Sequence, residues 1–235
     1  MLVGRRLQRS LLMGNQGVTD RGAVNGVFLY TRDGERYPHT YAKRKLVPFG
    51  EYVPFASILA FLDTVVPLPE GFAPGEGPVL LPLSVPGGRL LVGPLICFED
   101  CFTSTAVGSA RAGAELLYVA TYNVWYGEEF GAYLHAAHSV LRAAETGLPV
   151  LRCGSAGWSG FIDSEARVRH VSREPETGSI YFQGTDKFSV VATLSPDQSV
   201  FVEYYEWIIA GMLALGMLAP GFRPLRGLPF RMLPG

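Results

Sequence analysis

Short apolar runs alternate along this chain with segments whose apolar residues recur every three or four positions, the pattern of an α/β layered domain. Residues 25–31 (NGVFLYT) read as a strand that turns at Arg32-Asp33-Gly34, where Asp-Gly supplies hairpin geometry. Residues 89–97 (RLLVGPLIC) form a near-continuous apolar run, as expected of a strand covered on both faces. Residues 103–113 have a helix-compatible, small-residue pattern, and 115–120 (ELLYVA) read as a second buried strand. Residues 130–146 read as a helix with Leu134, Ala137, Val140, Leu141 and Ala144 as its apolar stripe and Gly147 and Pro149 as stop signals. Residues 150–153 and 160–163 add two short strands. The order strand, helix, strand, helix, strand implies a βαβ architecture with right-handed crossovers.

Two apolar segments do not fit a plain soluble domain. Residues 55–68 (FASILAFLDTVVPL), followed by the Pro/Gly-rich PEGFAPGEGP, read either as a helix packed on the sheet or as an arm, about 52–80, that contacts substrate or membrane. Residues 207–219 (WIIAGMLALGMLA) carry no charge. At 1.5 Å per residue that helix is about 20 Å long, short of the ~30 Å hydrocarbon core, so hydropathy alone leaves a buried helix and a clipped span both open. Tyr204, Tyr205 and Trp207 stand at one end and Arg223, Arg226 and Arg231 past the other. Aromatic belts and the positive-inside rule then predict a cytoplasmic C-terminus and a preceding domain outside the cytoplasm.

Composition narrows the class. Over 235 residues the hydrophobic share is 48%, the charged share 17% and the mean hydropathy +0.20, which excludes a disordered or coiled-coil chain. The net charge of −1 conceals segments of +6 (1–45), −10 (46–219) and +3 (220–235). An acidic central body argues against a nucleic-acid partner. Three cysteines, Cys97, Cys101 and Cys153, lack a disulfide framework or zinc spacing, and the last two read as buried structural thiols. His135 and His138 lie three apart on the predicted helix without a further ligand in a recognisable motif, so no metal site is expected. Arg142 and Glu145, also three apart, read as a brace along that helix.

The candidate chemistry begins at Cys97, in LICFED. A thiol at the end of a buried strand is either a small core side chain or a nucleophile where strand ends open into loops. A nucleophile would need its thiolate favoured and an oxyanion stabilised. Lys43, in YAKRKLVPFGEYVP, is the candidate cation, or else one solvated member of the trio Lys43, Arg44, Lys45. Glu51, after the Pro-Phe-Gly turn, could hold that lysine or accept a proton. Trp125 and Tyr126 could line a pocket or pack in the core.

Taken in order, Lys43-x-x-Leu46-Val47-Pro48-Phe49-Gly50-Glu51-Tyr52-Val53-Pro54, Leu95-Ile96-Cys97-Phe98-Glu99, Asn123-x-Trp125-Tyr126-Gly127 and Arg142-Ala-Ala-Glu145-Thr-Gly147-x-Pro149 resemble the carbon-nitrogen hydrolase (nitrilase) superfamily. The first block is similar, more narrowly, to the apolipoprotein N-acyltransferase family, with a match from about Leu11 to Ala219. The resemblance implies a four-layer αββα sandwich with a Glu-Lys-Cys triad and no cofactor. It implies a cysteine thioester, charged from a phospholipid and discharged onto the α-amine of a diacylglyceryl-modified apolipoprotein. It makes Cys97 the nucleophile, Lys43 the oxyanion-side cation, Glu51 the second acid beside it, and the Phe98 backbone N–H an oxyanion donor. Glu99, Trp125 and Tyr126 would line the substrate pocket. The implied setting is the bacterial inner membrane, with a monomeric enzyme whose catalytic domain is periplasmic.

There are departures. Phe98 stands where the family often has tyrosine, which removes a hydroxyl but keeps the ring. The family's general-base glutamate precedes the strand that Leu11 to Met13 represent, and residues 1–10 contain no acid. The expectation is therefore an N-terminally incomplete hydrolase-like domain over 1–200, a membrane helix with basic tail over 201–235, and little or no transfer activity from the 235-residue chain alone. The alternatives are an amidase or nitrilase acting on a small C–N substrate, and an inactive remnant that keeps the fold.

Overall fold

In the computed structural model, residues 9–55, 71–128, 130–192 and 196–218 are described. Strands β1 (Leu11–Thr19) and β2 (Gly22–Tyr30) pair antiparallel along their whole length, and β3 (Tyr41–Ala42) adds to the far edge of β2. The polar stretch Gly14 to Gln16 is thus held extended by its partner strand rather than by its own pattern. The turn at residues 32–34 forms, with the Gly34 N–H donating to the Thr31 carbonyl at 2.9 Å and Gly34 at φ 81°.

A second sheet has the order β4 (Leu81–Val85), β5 (Gly88–Ile96), β6 (Leu116–Tyr122), β7 (Val150–Ser155), β8 (Gly160–Ile162), β9 (Val168–Val171). Its centre, β5, β6 and β7, is parallel and its edges antiparallel. Helix α1 (Thr103–Arg111) joins β5 to β6, and α2 (Gly131–Thr146) joins β6 to β7. The central strands are buried on both faces, which explains their continuous apolar runs. Val92, Ile96, Leu116 and Tyr118 meet Val27, Leu29 and Tyr41 of the first sheet. Leu95, Leu117, Val119 and Val150 meet Ala106, Val107 and Ala110 of α1 and Ala132, Ala136 and Ala143 of α2. The described residues therefore show three layers, helix, sheet and sheet; a fourth, helical layer is not among them.

Helix α2 forms at the expected place but is turned the other way. Its buried residues are Ala132, His135, Ala136, Ser139, Arg142, Ala143 and Thr146, whereas Leu134 and Leu141 of the expected core stripe are exposed. The inward face is polar because it must satisfy a buried carboxylate described below.

Helix α3 (Val200–Leu218) bends at Tyr204, whose φ and ψ are −108° and 18°. Its first turn is docked: Val202 is fully buried, and Phe201 and Tyr205 pack on the helix-side core. The Ser199 hydroxyl donates to the Glu145 carbonyl at 2.6 Å and accepts the Val202 N–H at 3.1 Å. Arg111 brackets the bend, donating to the Val202 carbonyl before it and pairing both Glu206 carboxylate oxygens after it at 2.6 and 2.7 Å. Val200–Met217 is long and apolar enough to cross a membrane, and only 6% of it is buried, so it is not a core helix. The apolar segment 55–68 lies outside the described residues apart from Phe55, as does the basic tail from 219 onward.

The chain returns to the first sheet through residues 71–75. The Phe72, Ala73 and Gly75 N–H groups donate to the carbonyls of Glu51, Ala23 and Lys43 at 2.8–2.9 Å. A Cβ on Gly75 would lie 2.2 Å from the Ala42 carbonyl oxygen, so only glycine permits this approach beside Lys43. Gly75→Ala is expected to cost about 2–3 kcal/mol, the range of a backbone clash that cannot relax cheaply, and a lowered thermal midpoint in detergent would show it.

Candidate active site

Lys43 follows β3 and is anchored through its own N–H, which donates to the Asn25 carbonyl at 2.8 Å. Its side chain is 1% exposed, and its Nζ lies 2.7 Å from Glu51 Oε2. This is not a solvated lysine. The Val47–Glu51 turn brings the acid back: Phe49 adopts φ 61°, and the Gly50 and Glu51 N–H groups both donate to the Val47 carbonyl. Glu51 also accepts from the Val47 N–H and from Asn25 Nδ2, each at 2.8 Å. A carboxylate with three donors is a fixed partner for the ammonium.

Cys97 follows the last residue of β5, with a left-handed φ of 50°, and opens a short 3-10 turn, Cys97–Cys101. A non-glycine residue in that region needs support from its surroundings. Glu99 supplies part of it. Its Oε2 accepts from the Ile96 N–H and the Tyr41 hydroxyl at 2.8 Å, and its Oε1 from the Arg44 and Lys45 N–H groups at 2.7 and 3.1 Å. One carboxylate thus stitches the residues after Lys43 to the residue before Cys97. Burial, and then the Glu99 charge, push the Tyr41 hydroxyl well above its ordinary pKa, so it stays a donor. Glu99, expected to line a pocket, is fully buried and consumed by these bonds.

Asp100 supplies the rest. It is fully buried, and its carboxylate accepts from Arg152 Nη1, from Ser139 Oγ at 2.8 Å and from His135 Nε2 at 2.9 Å. Arg142 Nη1 donates to its backbone carbonyl at 3.1 Å and Arg142 Nη2 pairs with Glu145 at 2.8 Å, so the brace expected along α2 also reaches the turn. Burial raises the Asp100 pKa, but the Arg152 guanidinium, with His135 and Ser139, outweighs it and holds the carboxyl below its ordinary range. His135 Nε2 also lies 3.3 Å from the Cys97 carbonyl. Both neighbours of that nitrogen are acceptors, so Nε2 carries the proton. The network was missed in the sequence, although His135, Ser139, Arg142 and Thr146 recur at helical spacing and mark one polar face.

Asp100, Cys101 and His135 lie close enough together for a metal ion. Arg152 already neutralises the carboxylate, however, and a cation there would face a buried guanidinium and lose the His135 bond. Burial and the Asp100 charge push the Cys101 thiol up to about 11, which makes it a poor thiolate.

The segments that follow Cys97 and β6 expose aromatic side chains, Phe98, Trp125 and Tyr126 among them. Tyr126, in the 3-10 turn Val124–Tyr126, meets the His135 ring edge-on at 5.8 Å, and partial burial, then the Cys97 thiol, raise its hydroxyl pKa. Trp125 is 84% exposed and meets Tyr122 edge-on; Phe98 meets Phe102 likewise. Phe49, Tyr52, Phe55 and Phe130 are exposed too. Trp125 is therefore not a core residue. A separate cavity of about 490 Å³ opens between the sheets, lined by Leu12, Leu83, Tyr118, Leu151 and Cys153. Cys153, expected to be buried, is exposed there, and Cys101 is partly exposed.

A parallel-centred sheet with a cysteine at a left-handed strand end, joined through Glu99 to the residues after a buried lysine–glutamate pair, is an α/β fold that carries the residue types of thiol chemistry. The chain belongs to the carbon-nitrogen hydrolase family, whose profile matches residues 5–185. Among curated relatives it is similar to an apolipoprotein N-acyltransferase of Rhizobium rhizogenes, 38% identical over 180 residues, covering 75% of this chain and 32% of that one. A Brucella melitensis protein of the same name is 35% identical over 81% of this chain and 34% of its own length. The chain thus spans about a third of the length of these relatives. Among solved structures it resembles an amidase from Nesterenkonia sp., with TM-score 0.53 and 19% identity over 72% of this chain and 59% of that one.

Proposed function

We propose that Cys97 is the nucleophile of an N-acyltransferase that takes a fatty acyl chain from a phospholipid and passes it to the α-amine of a diacylglyceryl-modified apolipoprotein. The observation that carries a lipid substrate, rather than a small amide, is the exposure of aromatic side chains in the segments that bear the candidate groups: Phe49 in the Val47–Glu51 turn, Phe98 beside Cys97, and Trp125 and Phe130 between β6 and α2. The similarity to N-acyltransferases supports it.

In this reading the Cys97 thiolate attacks the ester carbonyl, and the oxyanion forms against the Lys43 ammonium and the Phe98 N–H. Collapse breaks the ester C–O bond, and the lysophospholipid leaves as an alcohol after taking a proton. The amine of the acceptor then attacks the thioester, loses a proton and frees the thiol. Glu51 keeps the ammonium aimed, and Tyr126 and Trp125 flank the acyl chain. The catalytic domain, over 1–200, stands on the periplasmic face as a monomer, held by a membrane helix within 201–235.

The test uses the chain in detergent with a p-nitrophenyl ester of palmitate, a donor whose leaving group needs no protonation. A hydroxylamine-labile palmitoyl adduct on Cys97, located by peptide mass spectrometry and formed once per chain without onward transfer to an amine, is the expected result. The activated ester bypasses leaving-group protonation, while residues 1–10 supply no acid to act as general base. Ammonia release from small aliphatic amides without that adduct would establish the small-amide reading instead.

A further inference from the structure

Helix α2 carries its polar residues inward and an apolar stripe outward. Phe130 is 72% exposed, Leu134 58% and Leu141 52%, and Tyr133, Ala137 and Ala144 share that face. Of the helix's charged residues, Arg142 is buried and Glu145 is paired with it; half-buried His138 borders the stripe beside Leu134 and Leu141, and exposed Glu128 precedes it. Monomeric soluble domains seldom leave such a stripe in water.

The two ends of the stripe say what covers it. At its N-terminal end, the Phe130 ring stacks with Tyr133, and Tyr126, which follows the exposed Trp125, packs on Gly131 at the start of the helix. At its C-terminal end, the Glu145 carbonyl receives the Ser199 hydroxyl that caps α3, and Arg111 locks the first turns of α3 in place. Sixteen residues of helix separate the two ends by about 24 Å. If α3 enters a bilayer and Trp125 touches the same bilayer, the line joining them lies along the membrane surface. That line is α2, and its outward side is apolar along its length.

We propose that α2 is an in-plane membrane contact, its outward stripe seated at the boundary between lipid headgroups and acyl chains. Interfacial helices bind lipid through an apolar face of this kind. Here the opposite, polar face is occupied by the Asp100 network, so the elbow bearing Cys97 is tied, through His135 and Ser139, to the helix that rests on the lipid. A second copy of the chain is the other covering such a stripe could have, but continuity with α3 favours lipid. The proposal rests on reading α3 as a membrane span and does not need Cys97 to be acylated.

The experiment places p-benzoylphenylalanine at Leu134 and, separately, at Leu141, with Glu165 in the exposed β8–β9 turn as reference. The whole chain is reconstituted in vesicles of phosphatidylethanolamine and phosphatidylglycerol and irradiated. Lipid adducts at 134 and 141 exceeding those at 165 by about tenfold are expected. Equal yields at the three positions, or chain-to-chain adducts at 134 or 141, would overturn the proposal. Should the variants misfold, hydroxyl-radical footprinting of the unaltered chain in the same vesicles decides it. Tyr133 and Leu134 should be oxidised several-fold less than Val168, which is 49% exposed; oxidation equal to Val168 refutes the contact. Lipid adducts without palmitoylation of Cys97 would sink the acyltransferase reading alone, and palmitoylation without adducts would sink this one alone.

Discussion

Cys97→Ser is expected to abolish the hydroxylamine-labile palmitoyl adduct, and Lys43→Met to slow its formation by about 10²–10³-fold, the cost of losing one preorganised oxyanion partner. The asymmetry follows from the geometry. In the proposed chemistry the thiol forms the bond, whereas Lys43 contributes a charge, which Glu51 and the Val47–Glu51 turn hold in place. Methionine keeps the unbranched stem and removes the ammonium, so a fold probe such as circular dichroism should change little. The Glu51 carboxylate is then left with Asn25 and Val47 as donors. Pre-steady-state release of p-nitrophenol, read against adduct mass, checks both variants. A Lys43→Met rate within a factor of about three of the parent would remove the lysine from the chemistry.

Asp100→Asn should be the most destabilising single change in the site. It leaves the fully buried Arg152 guanidinium without its anion, and breaking a buried pair from one side costs about 3–5 kcal/mol. The pH dependence has a definite sign. The folded pKa of Asp100 lies below its ordinary value, so its contribution is complete above the unfolded carboxyl pKa of about 3.9 and is lost as pH falls through the lower folded value. The stability gap between parent and variant should therefore be widest at neutral pH and close in acid. Urea midpoints at pH 7 and below pH 4 test this; a gap that stays constant across that range would mean the Asp100 charge is not what matters.

Much of the site was legible along the chain, and for one reason. Strand ends and tight turns are local, and residues such as Cys97 after RLLVGPLI and Glu51 after Pro-Phe-Gly declare themselves by what stands next to them. Glu99 was legible only as an acid beside the cysteine. Its service to Arg44 and Lys45, more than fifty residues back, depends on the strand pairing that sets β3 near the end of β5. The orientation of α2 went further astray, because its periodicity admits two faces and hydrophobicity favoured the wrong one. The buried charge that selects the other face, Asp100, lies on a different element.

By itself, then, the sequence determined the family, the order of the central strands and their crossover helices, and the two segments bearing Cys97 and Lys43, because apolar periodicity, turn residues and motif spacing are written in neighbours. The short strands Tyr41–Ala42, Leu81–Val85 and Val168–Val171 emerged only from pairing. The tertiary structure alone decided that Lys43 is buried against Glu51, that Glu99 and Asp100 brace the elbow from beneath, and that the apolar face of α2 looks outward. Each of those outcomes depends on where a buried charge finds its counter-charge. Chain segments far apart in sequence settle that together, since an ion in the core must be paired wherever the partner comes from.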